Sequence, residues 1–146
     1  MMNDCEIYSS RILNAPVALV YKAFENPEHL KNWWGPEGFT NTIHEFDLQP
    51  GDHCKFTMHE SDQGHYENSS VFKTINPQKL VHSKRISQPW FDMEIEFESL
   101  SETQTKISFK MIFETAEACN KIRGFATPKN EENFDRLQVE LLKMQK

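Results

Sequence analysis

The chain lacks a basic excess: 16 Lys and Arg face 22 Asp and Glu, for a formal charge of −6. The cations are scattered among carboxylates and form no stripe that could follow a phosphate backbone, so nucleic acid is not an expected partner. No stretch approaches the roughly eighteen apolar residues of a membrane span, which excludes an integral membrane protein with helical spans. The opening MMNDCEIYSS has no basic segment followed by an apolar run, so no secretory leader is read there and a cytoplasmic protein is expected. Cysteine is scarce. Cys5, Cys54 and Cys119 are odd in number, far apart and without C-x-x-C spacing, which argues against a disulfide framework and against structural zinc. Glycine, at five residues, is too sparse for a flexible linker, and no repeat or low-complexity tract divides the 146 residues. One domain over 1–146 is expected.

Large apolar side chains are plentiful, with eleven Phe, three Trp and six Met, enough for a core and for the lining of a ligand cavity. Residues 15–36 carry the strongest local signal. Pro16 suits a first helical position, and Val17, Val20, Tyr21 and Phe24 fall on one helical face. Asn26 then caps a second short helix with Pro27 at its first position, Leu30, Trp33 and Trp34 on its apolar side, and Gly35-Pro36 as its stop.

A meander of strands follows. Residues 39–48 and 53–59 read as a hairpin around Gln49-Pro50-Gly51-Asp52; a turn at 61–64 leads to a long strand over 65–75, and Asn76-Pro77 turns into a strand over 79–86. Phe91, Met93, Ile95 and Phe97 alternate with acidic residues, and Ile107, Phe109, Met111 and Phe113 repeat the alternation after the turn at 101–103. Two neighbouring antiparallel strands thus present bulky side chains to one side, which needs a cover. The cover is read as a helix over 128–145, capped by Thr127, with Pro128 at its first position and Phe134, Leu137, Leu141 and Met144 at helical spacing. Residues 115–125 read as a separate short helix ending at Gly124.

Candidate site residues come from strand parity. His44 shares parity with Phe46 and Leu48 and is read as an inward polar contact. Cys54, Phe56 and Met58 form the facing row, while Tyr66, Asn68 and Ser70 share parity with Phe72 and could orient a polar head group. Met93, Ile95, Phe109 and Met111 supply the sheet floor. Trp34 and Trp90 are placed at the cavity mouth, and Phe125, Phe134 and Leu137 on the opposite wall. Glu94, Glu96 and Glu98 read as a solvated strand face, and Glu45 and Glu67 become acids of interest only if a bulge turns them inward. His53, His59 and His65 surround one hairpin without a compact ligand motif, so no metal and no other cofactor is expected. Neither Ser69-Ser70 nor any Cys sits in a nucleophile motif, so no catalytic residue is assigned.

The words Ile12-Leu13-Asn14-Ala15-Pro16, Asn26-Pro27-Glu28-His29-Leu30 through Trp33-Trp34-Gly35-Pro36, and His44 through Gly51 occur in a particular order. Asn76-Pro77-Gln78-Lys79-Leu80-Val81, Thr115-Ala116-Glu117, Asn130-Glu131-Glu132 and Asp135-Arg136-Leu137 follow. Together they resemble the START-like superfamily of the helix-grip, or birch-pollen-allergen-like, fold, and within it the branch homologous to the activator of heat-shock protein 90 ATPase. The resemblance spans nearly the whole chain. It implies an α+β fold: a curved antiparallel sheet of about six or seven strands wrapped around a long C-terminal helix, with two short helices after the first strand and a pocket between sheet and helix. Asp52 and Cys54 stand where relatives often carry a second glycine and an aromatic residue, so a wider or reshaped pocket is expected.

Many members of that superfamily hold lipids, sterols or polyketides, and a few cyclise or hydrolyse their ligand. The leading expectation is therefore non-enzymatic binding of a small hydrophobic or amphipathic molecule. The alternatives are a cyclase- or hydrolase-type enzyme using Tyr66 or His44, and a chaperone ATPase regulator in the stress response acting through protein contact. A chaperone and a second copy of the chain are the candidate protein partners.

Overall fold

A computed structural model describes residues 5–35, 37–60, 64–87 and 90–145. The turn expected at 61–64 therefore lies outside the described residues except for Gly64, as do Pro36 and Pro89.

The chain opens with β1 (Glu6–Leu13), then two short helices, α1 (Val17–Glu25) and α2 (Pro27–Trp33). Six strands follow: β2 (Phe39–Phe46), β3 (His53–Glu60), β4 (His65–Asn76), β5 (Leu80–Arg85), β6 (Asp92–Ser101) and β7 (Gln104–Ile112). The chain then enters α3 (Ala116–Met144). The strands form one curled antiparallel sheet in the order β1-β7-β6-β5-β4-β3-β2, and α3 lies on its inner face. The architecture is the helix grip implied by the sequence resemblance.

Local chemistry explains the two short helices. Asn26 Oδ1 accepts the Glu28 N–H at 3.0 Å and Pro27 begins α2, where its missing N–H leaves no helical bond unmade. Pro16 sits one residue earlier than expected, as the extended cap residue of α1. Between β2 and β3 the chain turns at Gly51, whose φ of +91° suits glycine. The Gly51 N–H donates to Phe72 O and the Phe72 N–H to Asp52 O, so this turn is fastened to β4.

The core lies between sheet and helices. Leu13, Val20, Trp33, Ile107, Phe109, Phe134 and Leu137 are essentially inaccessible, and each such large side chain contributes about 1.5–3 kcal/mol by leaving water. Trp33 also donates its indole N–H to Ala23 O at 2.9 Å, joining α2 to α1. A smaller cluster of Ile7, Met111, Phe113, Cys119 and Ala126 fixes the first turns of α3. Arg11 on β1 holds the middle of α3 through Glu131 at 2.8 Å, Asp135 at 2.5 Å and Gln138 at 2.6 Å.

The C-terminal helix differs from the sequence expectation. It is one helix of 29 residues capped by Thr115, whose hydroxyl accepts the Ala118 N–H, and it runs through both Gly124 and Pro128. Thr127 is no cap; its hydroxyl donates to Arg123 O one turn back. Gly124 reads as a stop and Pro128 as a restart because both are poor residues for a helix interior. Packing of Cys119 and Ala126 in the second cluster, together with Arg123 Nη1 on Glu6 O at 2.9 Å, holds the helix through them.

Candidate functional site

A cavity of ≈ 80 Å³ lies between the sheet and the two short helices. Phe24 of α1, Leu30 of α2 and Trp34 just after it form its roof. The walls and floor are Asn41, Ile43 and Phe46 of β2, Cys54 and Phe56 of β3, and Ser70 and Phe72 of β4. Ser83 and Arg85 of β5, then Phe91 and the β6 residues Met93 and Ile95, complete it. The rings meet edge-on: Phe24 lies 6.3 Å from Trp34 and 6.2 Å from Phe46, and Phe46 5.9 Å from Phe72, centroid to centroid. Such edge-to-face contacts build an apolar wall.

Of the residues singled out by sequence, Trp34, Phe46, Cys54, Phe56, Phe72, Met93 and Ile95 line this cavity, as does Ser70. Met58 instead lies beneath Gly35 at the end of α2. Tyr66 is 50% exposed, beside the Phe39 ring and with its hydroxyl 3.5 Å from Glu60 Oε1. Asn68 is buried, but its amide donates to Tyr66 O at 2.9 Å and closes on its own strand. Trp90 and Phe125 are exposed at 59% and 67%, the latter under the Lys129 ammonium.

His44 does not face the cavity. A β-bulge between Ile43 and Glu45 inserts one extra residue in β2 against β3 and reverses the parity. Ile43 and Phe46 therefore point inward and His44 turns to the outer face, where its Nε2 lies 2.7 Å from the Thr57 hydroxyl. The Thr57 hydroxyl donates a hydrogen bond to Glu67 Oε1 at 2.7 Å, so Glu67 belongs to this outer chain.

The long helix does not form the opposite wall either. Phe109, Phe134 and Leu137 are sealed in the core, and Met111 belongs to the second cluster. Trp34 is the reason. Its ring lies 5.7 Å from Phe109, which in turn lies 4.6 Å from Phe134, so these aromatics fill the space between cavity and α3.

Sequence reasoning did not assign Phe24, Leu30, Asn41, Ile43, Ser83, Arg85 and Phe91 to the cavity. The signal for two of them was present: Ser83 and Arg85 share strand parity with buried Val81, and polar residues at inward positions of a strand mark a lined space.

The polar groups of the wall are few. Asn41 donates from Nδ2 to Lys31 O at 3.1 Å and Trp34 O at 2.7 Å, which fixes its amide orientation. Its Oδ1 is buried and has no hydrogen-bond partner among the described residues. Burial first, and the Glu45 charge second, push the Cys54 thiol up from 9.0 to about 12, so it is neutral near pH 7. Burial lowers the Arg85 guanidinium from its ordinary value, which still leaves it charged. No group of three or more potential metal ligands converges among the described residues.

The family model described as Activator of Hsp90 ATPase homolog 1-like protein matches residues 14–141. The chain belongs to this family. No curated protein matches the sequence. Solved structures share the fold: a protein from Nitrosomonas europaea is 21% identical with a TM-score of 0.88, covering 100% of this chain and 99% of its own. One from Arthrobacter aurescens is 17% identical with a TM-score of 0.89, covering 98% and 90%. An AHSA1-like protein from Aeromonas hydrophila is 13% identical with a TM-score of 0.78, covering 96% and 94%. Among the described residues, no helix of this family member is long and apolar enough to cross a membrane.

Proposed function

We propose that this protein binds a small apolar or amphipathic molecule in the cavity beneath α1 and α2, without transforming it. The observation that carries the reading is an apolar, ring-lined cavity with a buried, unpartnered acceptor, Asn41 Oδ1, in its wall. An unmade buried hydrogen bond costs about 1–3 kcal/mol, which a ligand donor would recover. Phe46, Phe56, Phe72 and Met93 would supply affinity by burial, and Asn41 orientation. The two groups named for catalysis, His44 and Tyr66, both lie off the cavity wall, and the Cys54 thiol within it, raised to about 12, is far from the neutral range that general acid–base chemistry needs.

The reading includes a cytoplasmic setting, for which the support is the sequence: three cysteines, an odd number without the spacing of a disulfide framework. Native mass spectrometry of gently purified protein, paired with thermal shift against a lipophilic library, tests it. An adduct or a stabilising compound is expected; absence of both sinks the proposal.

The family description favours a second reading, regulation of a chaperone ATPase. An ATPase assay with the host chaperone decides that one, and no stimulation at saturating protein ends it.

A further inference from the structure

Strands β3 and β4 carry a second cluster on the face turned away from the cavity. Cys54, Phe56, Ser70 and Phe72 line the cavity, and His59 and His65 have the opposite parity on the same two strands. The two histidines stand directly across from one another in the antiparallel register. Their Nδ1 atoms lie 2.7 Å apart, with ring centroids 4.9 Å apart and planes at 77°. Two imidazole lone pairs at that distance repel unless a proton or a metal ion sits between them. Without a metal, one ring donates its N–H to the other.

The His59 ring is held from its far side. Its Nε2 lies 2.7 Å from the Thr42 hydroxyl of β2, so both ring nitrogens have partners and a flipped ring would lose both. With Nδ1 taken by a metal, Nε2–H donates to Thr42 Oγ1, the outer hydrogen bond that metal-bound imidazoles make. His65 is exposed and His59 half-buried, so an ion can reach the pair from solvent. Glu67, two residues along β4, places a carboxylate on the same face, and the chain carries a formal charge of −6. Both favour a cation.

Geometry narrows the metal. A metal–imidazole bond is about 2.0–2.1 Å long, so two such nitrogens stand about 2.9 Å apart at a right angle and about 3.3 Å apart at a tetrahedral one. The observed 2.7 Å is nearer the first. Square-planar and tetragonal sites suit copper(II) and nickel(II), and copper(II) binds such ligands most tightly of the series. No third His, Cys, Asp or Glu joins the pair among the described residues, so water fills the remaining positions.

We propose that His59 and His65 form a surface site for one tetragonal divalent metal ion, copper(II) before nickel(II), with Thr42 orienting the His59 ring. The metal joins β3 to β4 on the face opposite the cavity, so the site is independent of any cavity ligand.

Isothermal titration of the full chain with copper(II), nickel(II) and zinc(II) chlorides tests it. One copper per chain is expected, bound more tightly than nickel or zinc. Thr42→Val, which removes only the outer hydrogen bond, should weaken copper binding about tenfold. His59→Ala and His65→Ala should each weaken it further than that. His82→Ala removes a histidine paired with Asp92 elsewhere on the sheet and should leave copper affinity unchanged. If a histidine variant fails to fold, broadening of the wild-type imidazole proton signals by sub-stoichiometric copper(II) carries the test, with His59 and His65 expected to broaden first. Wild-type affinity in either histidine variant, broadening that starts at other histidines, or tighter binding of zinc than of copper overturns the proposal. So does a wild-type chain that binds no copper, in which case the pair shares a proton only.

Discussion

The Gly35 N–H donates to the buried side chain of Asn133 at 3.0 Å, tying the turn after α2 to the middle of α3. Arg136, less than one turn further on, donates to Trp34 O at 3.1 Å and Gly35 O at 2.9 Å. The cavity roof is thus held by α3 from outside, although α3 contributes no lining residue among those described. Asn133→Leu leaves the Gly35 N–H unpaired and is expected to cost about 1–3 kcal/mol in urea unfolding. Gly35→Ala is expected to be worse: φ is +94°, and an added Cβ would lie 2.5 Å from Met58 Cε. Near-UV circular dichroism of both variants should change, because Trp34 is the residue being held.

The outward turn of His44 gives a paired test of the site. His44→Ala removes a bond to Thr57 on the outer face and is expected to leave the affinity of a cavity ligand within about twofold. Cys54→Phe places a ring inside the cavity and is expected to lower that affinity about tenfold or more, at an overpacking cost of about 1–3 kcal/mol. The reverse ranking, measured by titration, would put the ligand outside the cavity.

Much of the fold was legible because hydrophobic period and turn chemistry agree along most of the chain. Asn26-Pro27 starts α2 where expected, and Phe91 through Phe97 alternates as β6 does. The cavity was legible only in part. Parity carries a strand's inward face until a bulge intervenes, and nothing in Ile43-His44-Glu45 announces the extra residue. The α3 misreading has the opposite origin: Gly124 and Pro128 do signal a break, and tertiary packing overrides it. That Trp34 would face the cavity while Trp33 donates to Ala23 depends on how α2 docks, which spacing along one helix does not contain.

Stability should fall at alkaline pH through Cys54. The folded thiol is raised from 9.0 to about 12, so the native state keeps its proton where the unfolded chain loses it. The contribution is fully present below about pH 9 and is lost as pH rises toward about 12, at roughly 1.4 kcal/mol per pH unit in the middle of that window. Urea unfolding at pH 8 and pH 10.5, wild type against Cys54→Ser, checks it. The wild type is expected to lose more stability than the variant. Equal losses would mean that the thiol is not dehydrated by the cavity.

Gln78 sits at φ 63° in the turn between β4 and β5, where Lys79 N–H returns to Asn76 O. Pro77 and a positive φ after it describe a type II turn, whose third position suits glycine. Gln78→Gly is expected to stabilise by up to about 1 kcal/mol, with relief of left-handed strain set against greater freedom of the unfolded chain. A thermal melt that moves down would show that the Gln78 side chain contributes more than its backbone costs.

Pro128 offers a sharper gain. It stands inside α3 without an N–H for the Gly124 carbonyl, at an exposed position. An interior proline costs about 3 kcal/mol relative to alanine, so Pro128→Ala is expected to raise stability by about 1–3 kcal/mol. Gly124→Ala should add up to about 1 kcal/mol, since among the described residues nothing beyond the helix's own backbone and the neighbouring residues lies within 4 Å of the new Cβ. If Pro128→Ala instead lowers the melting temperature, then the path of α3 past the second cluster of Ile7, Met111 and Phe113 depends on the helix being interrupted there. Hydrogen exchange at residues 125–132 then distinguishes the two cases. Protection rises with stability if the bond to Gly124 is restored, and falls if the helix no longer follows the sheet.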